Sequence, residues 1–338
     1  MTSALDYLIE LLAFTGLDHS ILVVLAIHIP ALAIFLVMVV NATIAVYVER
    51  KVAAFMQDRL GPMEVGLFGF KGGKKFWGGI GQTIADAIKL LTKEDIVPDN
   101  ADKKLMLLAP FIIFIGAFLT FIAVPFSENL VVSDFNVGIF YIIAMSSVGV
   151  IGIILAGWSS NNKWSLYGAM RAAAQIVSYE IPIGLTLLLV VIVAGSLNLG
   201  DIVQWQADNR WFIIHSPFTF VAFFIYFISV VAETNRTPFD IPEAESELVA
   251  GWMTEYSGFK WAIFFLSEYA NMLIVSIVAS IVFLGGWLSP LAILNIGIPE
   301  SWMILDGPIL GFFWVMLKAL FLVFVMMWFR WTFPRLRV

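Results

Sequence analysis

Residues 233–251 read ETNRTPFDIPEAESELVAG and place Glu233, Arg236, Asp240, Glu243, Glu245 and Glu247 at the end of a segment otherwise apolar enough to cross a bilayer. Moving a carboxylate toward the bilayer centre costs roughly 2.5–3.5 kcal/mol, so acids at that depth face protein or water and mark functional paths. Two further acids enter apolar segments. Glu180 precedes Pro182, whose missing N–H can leave a backbone carbonyl free for water or an acidic proton. Glu268 lies seven residues past Trp261, roughly 10 Å along a helix, too deep for so short a side chain to snorkel easily. If they converge on one half of a helical bundle, these carboxyls titrate as a coupled set and can conduct protons. The competing reading pairs them with basic residues of partner subunits.

Part of the acidic run has a simpler reading. Asp240-Ile-Pro-Glu243 has the form of a capping box, with Asp240 as N-cap, Pro242 in the first turn and Glu243 reaching back. On the helix expected to follow, Glu243 and Glu247 share a face and Glu245 points elsewhere. Glu233 is not covered by that explanation. Earlier in the chain, Asp86 and Lys89 are three apart in GQTIADAIKLLTKED, with Gln82 and Asp86 four apart and Ile84, Ile88 and Leu91 forming the apolar side. The pattern predicts an amphipathic helix at the membrane surface carrying an ion pair. Glu49-Arg50-Lys51 reads first as a set of snorkelling anchors at a helix end, and Arg59 is placed to meet an acid from another connection. Arg171 and Gln175 are four apart in GWSSNNKWSLYGAMRAAAQIVSYEIP.

Other chemistries are excluded by composition. The 338 residues contain no Cys, which removes disulfides and cysteine-ligated zinc or iron–sulfur centres, and His19, His28 and His215 are scattered. The glycine-rich GGKKFWGG lacks the Lys-Ser/Thr ending of a phosphate loop and the third glycine of a dinucleotide site. Any redox centre therefore belongs to another chain.

The elements that must position these residues are helices in a membrane. Hydrophobic residues make up 61% and charged residues 13%, against about a quarter charged in globular domains. Spans are predicted near 21–48, 105–126, 137–158, 178–198, 217–233, 261–285 and 308–331, in an all-α polytopic membrane protein that forms one integral-membrane domain over 1–338. Residues 1–20 read as an amphipathic lead-in, without the basic flank of a signal peptide. The connections 49–104, 159–177 and 234–260, with the C-terminal residues, hold seventeen of the nineteen Lys and Arg. By the positive-inside rule these connections are cytoplasmic and the N-terminus is outside. Trp158, Trp261, Trp287 and Trp328 fall near span ends. No internal repeat is evident, which weighs against many transporter folds.

The segments VYVERKVAAFMQDRLGP, GQTIADAIKLLTKE, GWSSNNKWSLYGAMRAAAQIVSYEIP, ETNRTPFDIPEAESELVAG and FFLSEYANM resemble, in order, the quinone-site membrane subunit of proton-pumping NADH:quinone oxidoreductase, respiratory complex I. The resemblance implies a quinone chamber at the junction with the peripheral arm. Positions matching Glu49, Arg50, Arg59, Asp86, Lys89, Arg171, Arg236 and Asp240 line or support it. Those matching Glu180, Glu233, Glu243, Glu245, Glu247, Glu255 and Glu268 form an acidic route toward the membrane arm. It further implies no cofactor on this chain, quinone as substrate, and FMN and iron–sulfur clusters in partner subunits. The implied partners are peripheral-arm subunits carrying the terminal cluster, small and antiporter-like membrane subunits, and lipid, with no nucleic acid. The implied location is a bacterial inner membrane.

Three departures accompany the resemblance. Met63 stands where relatives commonly carry Asn and the stretch 68–80 is expanded. Ser147 stands where some relatives carry an acid. The family generally continues into one more hydrophobic span after RWTFPRLRV. Two other readings compete: the equivalent subunit of a membrane-bound hydrogenase, and a proton-coupled secondary transporter.

Overall fold

The structure is a computed structural model and describes residue 9 and residues 18–66, 78–128, 130–243, 245–290 and 308–336, the side chains of Ala244, Glu245, Ser246 and Pro308 excepted. The predicted lead-in at 1–20 and the expanded stretch at 68–80 lie largely outside these residues. Helices dominate: α1 (His19–Met56), α2 (Gly81–Thr92), α3 (Lys103–Thr120), α4 (Gly138–Ser159), α5 (Lys163–Ala194), α6 (Leu199–Asp208), α7 (Phe212–His215), α8 (Pro217–Glu233), α9 (Glu245–Leu248), α10 (Gly258–Phe283) and α11 (Pro308–Thr332). The chain is an all-α polytopic membrane protein. Among the described residues six helices are long and apolar enough to cross a bilayer, and the remaining predicted span is α8, a shorter apolar helix of 17 residues.

Several boundaries differ from the expectation. α1 runs on through Glu49, Arg50 and Lys51 to Met56. The polar stretch 163–177, read as part of a connection, is the first half of α5, which continues unbroken through Pro182 for 32 residues. Its opening turns carry Gly168, Ala169, Ala172 and Ala173, all buried, so this half packs through small residues that contribute little hydropathy. The expected capping box is absent. α9 begins only at Glu245, one turn long, and Asp240 is drawn to Arg335, whose Nη2 donates at 2.7 Å to Oδ2.

α10 is the hub of the bundle. Within its membrane window 72% of residues are buried, against 17% in α1, which runs along the edge. Its sequence explains the position: Ser267, Ala270, Ser276, Ala279 and Ser280 are buried, and such residues let neighbouring helices approach closely without a hydrophobic driving force. Ser267 and Ser276 donate to Ile263 and Met272 carbonyls one turn back and so carry no unsatisfied hydroxyl. At the far end, Lys318 of α11 donates to the carbonyls of Leu284, Gly286 and Leu288 at 2.7–2.8 Å, so this intramembrane cation caps the C-terminus of α10.

The basic ends of the helices meet at one side. Glu49 at the end of α1 reaches Arg236 after α8 and Arg330 near the end of α11, and Lys260 at the start of α10 pairs with Asp95 after α2 at 2.8 Å. These contacts gather the polar connections into one layer.

Candidate functional site

A cavity of about 840 Å³ opens in that layer, between the end of α1, the loop 57–63, α10 and the end of α11. Ligand sites commonly enclose about 300–1,000 Å³. Its wall has an apolar part, Val46, Leu60, Met63, Phe265 and Trp331, and a polar part, Glu49, Arg50, Arg59, Tyr269 and Arg330.

Glu49 is the centre of the polar wall. It is 5% exposed, and Arg236, itself buried, donates through Nη1 to both of its carboxylate oxygens at 3.0 and 3.1 Å. Tyr269 donates a short hydrogen bond to Oε2 and Arg330 pairs with Oε1. Three donors thus converge on one carboxylate, so Glu49 is an organising anion and not the snorkelling anchor expected of it. Lys51 is also buried and donates to the Leu60 carbonyl at 3.0 Å, holding the loop that forms the cavity rim. Arg59 lies on that rim and pairs with the side chain of Gln57, and no acid meets it among the described residues.

Arg236 passes the connection inward. Its Nη2 stands 2.9 Å from Glu268 Oε1 and its guanidinium lies 4.7 Å from the centre of the Tyr269 ring. Burial works against its charge, yet Glu268, Glu49 and Tyr269 outweigh that cost and hold its pKa well above the ordinary arginine value. Asp240 follows in the same loop, in a salt bridge with Arg335. Burial pushes the Asp240 carboxyl up, against the opposing pull of Arg335, Arg330 and Arg236. Glu243 makes no ion pair among the described residues. Burial, then the like charges of Glu268 and Asp240, push its carboxyl well above the usual range. The cluster therefore joins four carboxyls, Glu49, Asp240, Glu243 and Glu268, to the guanidiniums of Arg236, Arg330 and Arg335. The cluster thus has one carboxyl more than guanidiniums.

Glu180 and Glu233 form a separate station. Ser147 donates to Glu180 Oε1 at 2.9 Å while also reaching the Ile143 carbonyl, so a hydroxyl occupies the position where an acid was expected in some relatives. The Glu180 charge acts on Glu233, and the Glu233 charge acts on Tyr226, whose hydroxyl donates to the Val275 carbonyl of α10.

The remaining site residues are reached from the cavity through Arg50 or lie away from it. Arg50, on the cavity wall, donates to Asp86 at 2.6 Å, and Gln82 and Lys89 flank the same carboxyl at 3.1 and 3.6 Å. Burial works to raise Asp86, but its partners, Arg50 first, outweigh it and leave the carboxyl below the usual range. Arg171 is away from the cavity and pairs with Glu247 at 2.9 Å, both half exposed. Glu255 accepts from Asn162 at 2.6 Å. The Glu245 side chain lies outside the described residues. Sequence reasoning missed Tyr269 and Arg335 as members of the cluster and counted Arg330 only toward orientation. A signal was available: Tyr269 follows Glu268 directly, and two of the three C-terminal arginines face an acid-rich loop with one arginine of its own.

A helical membrane bundle with a half-polar cavity backed by a buried chain of acids and arginines is the class defined by these features. The chain belongs to the NADH dehydrogenase family, which it matches over residues 29–338. It is 54% identical over 300 residues to the H subunit of NADH-quinone oxidoreductase from Chlorobaculum tepidum, covering 88% of this chain and 80% of that protein. The corresponding protein of Bacteroides thetaiotaomicron, of the same name, is 50% identical over 299 residues, covering 88% and 79%. That of Geobacillus sp. (strain WCH70) is 48% identical over 306 residues, covering 90% and 84%.

Proposed function

We propose that this chain is the membrane subunit at which an NADH:quinone oxidoreductase of the complex I type receives quinone and transmits its reduction to proton translocation. The observation that carries this reading is the shared use of Glu49. The same carboxylate forms the polar wall of the cavity and, through Arg236, contacts the acid at Glu268. Relatives at about half identity over most of the chain bear the name of a subunit of NADH-quinone oxidoreductase.

In this reading the quinone tail lies along Val46, Leu60, Met63 and Phe265, and the head approaches Glu49, Arg59 and Tyr269. Electrons come from the terminal iron–sulfur cluster of a peripheral subunit, the flavin is likewise carried by a partner subunit, and this chain supplies only protein groups. Reduction of a quinone by two electrons takes up two protons. Protons drawn through Glu243, Asp240 and Glu268 change the charge of a set that is coupled in low dielectric, and Glu180 and Glu233 extend the perturbation toward antiporter-like subunits. Moving a proton against the membrane potential requires about 2.3 kcal/mol per 100 mV. The basic layer faces the cytoplasm of a bacterial inner membrane.

The test is purification through a tag on this chain in mild detergent, with mass spectrometry of the assembly and assay of NADH:quinone reduction with and without a quinone-site inhibitor. Flavin and iron–sulfur subunits with inhibitor-sensitive activity are expected. Nickel–iron subunits in their place would change the reaction, and a lone chain binding a solute would overturn the reading.

A further inference from the structure

One face of α5 runs beneath the whole acid-rich segment and makes a separate contact at almost every turn. Ser165 donates to the Trp252 carbonyl at 3.1 Å. Gly168 lies so close to Gly251 that an added Cβ would stand 2.6 Å from its Cα. Arg171 holds Glu247 at 2.9 Å, and the Tyr179 ring meets Phe239 edge to face at 5.5 Å.

Gln175 stands in the middle of this face and differs from the others in what it binds. Its amide nitrogen lies 2.8 Å from the Ala232 carbonyl, 2.8 Å from the Phe239 carbonyl and 3.1 Å from Asn235 Oδ1. Ala232 ends the buried part of α8, and Phe239 is the residue before Asp240. One side chain therefore ties both limbs of the turn 232–239 to a rigid helix, and Arg236 is at the tip of that turn. The turn's own hydrogen bonds hold its backbone: Asn235, at φ 51°, donates its N–H to Ala232, Arg236 N–H reaches back to Val231, Phe239 N–H to Arg236 and the Thr234 hydroxyl to Val230, and none of them fixes the Arg236 side chain. The Arg236 guanidinium must nevertheless reach Glu49 on α1 and Glu268 on α10 at once.

We propose that Gln175 is a positioning residue that places Arg236 between Glu49 and Glu268 by clamping the two limbs of its turn. The inference rests on the functional reading above. Gln175 does not line the cavity, so its effect belongs to coupling and turnover and not to quinone binding. A misplacement of about 1 Å remote from the chemistry can lower a rate by up to a hundredfold.

The experiment is a double-mutant cycle in the assembled complex, in native membranes. Gln175→Met keeps the side-chain length without the donor, and Arg236→Lys keeps the charge without the fork that spans two carboxylates. Each single variant is expected to lower kcat about tenfold, with KM for quinone unchanged in Q175M and electron transfer from NADH to a soluble acceptor intact in both. If Gln175 works through Arg236, the double variant falls no further than the weaker single one.

Multiplied losses in the double variant, or wild-type kinetics in Q175M alone, would overturn the inference while leaving the functional reading standing. Wild-type kinetics in R236K and Q175M together would instead remove the functional reading beneath it. Should Q175M fail to accumulate, Gln175→Glu replaces it. Protonated glutamate retains one donor, so its rate should recover relative to wild type as the pH falls toward that of an ordinary carboxyl. The titratable groups on the segments it meets are Arg171, Tyr179 and Glu180 on α5, Glu233 on α8, and Arg236 and Asp240 in the turn. The R236K single variant is run over the same range to separate their titration, and absence of recovery in Q175E overturns the clamp.

Discussion

A carboxylate with three donors differs in kind from one with a single donor, and Glu49 is the former. Arg236, Arg330 and Tyr269 all depend on it. Replacing Glu49 with Gln leaves two guanidiniums short of an anion, and for the buried Arg236 breaking such a pair costs about 3–5 kcal/mol. Tyr269→Phe removes one hydrogen bond to a charged group, worth about 1.5–3 kcal/mol, and leaves both ion pairs in place. The expected order in thermal melting of the assembled complex is wild type, then Y269F, then E49Q, with quinone reductase activity falling in the same order. An E49Q protein that melts with wild type would mean that its partners are independently held. At this scale the sequence was informative about which residue types matter and less so about their partners. Glu49, Arg236 and Glu268 were all singled out, but chain separations of 187 residues between Glu49 and Arg236 and 220 between Glu49 and Tyr269 carry no spacing signal.

At the scale of the element, α5 decides how the acid-rich segment is laid out, and its glycines make opposite predictions. An added methyl at Gly168 meets the backbone of Gly251 and Trp252 at 2.6–2.8 Å, whereas at Gly184 nothing lies within 4 Å. Gly168→Ala must push the segment 251–252 off the helix, an overpacking change that typically costs about 1–3 kcal/mol, and should lower quinone reduction with it. Gly184→Ala should be neutral or stabilise by roughly 0.5–1 kcal/mol, the usual gain inside a helix. Melting temperatures of the two variants provide the comparison, and equal shifts would show that α5 does not template the segment. The same helix explains what sequence reading lost here. Long apolar runs revealed the spans because a membrane helix must satisfy its backbone internally and cover itself with hydrocarbon. Residues 163–177 escaped because their buried face is built largely from Ser165, Gly168 and alanines and their exposed face mixes Lys163 and Arg171 with Trp164, Tyr167 and Met170. The local pattern around Asp240 indicated a cap, but Arg335, nearly a hundred residues away, competes for the same carboxylate.

For the whole molecule, the balance between raised and lowered carboxyls sets how stability responds to pH. Asp240 and Glu243 lie in connections and not in spans, and burial raises both above their ordinary values of 3.8 and 4.5. A group raised on folding contributes stability that is complete below its unfolded pKa and is lost as the pH climbs through its folded pKa. Asp86 has the opposite sign: its contribution is present above 3.8 and lost only as the pH falls through its depressed value. In the window above 3.8 the Asp86 contribution is complete, while that of Asp240 and Glu243 is lost as the pH climbs. The melting temperature of the assembled complex should therefore fall as pH rises across that window, the reverse of ordinary acid denaturation. Glu243→Gln removes the carboxyl that has no ion pair among the described residues, so the variant's melting temperature should vary less with pH and should exceed that of wild type at the alkaline end. Asp240→Asn should flatten the curve less, because it also releases Arg335. A wild-type curve that is flat or rising, or an E243Q curve with the wild-type slope, would show that the proton held by the cluster resides elsewhere. Under the proposed function the predicted fall ties folding to turnover, since the proton that stabilises the bundle at low pH is then the one the cluster releases and recovers as quinone is reduced.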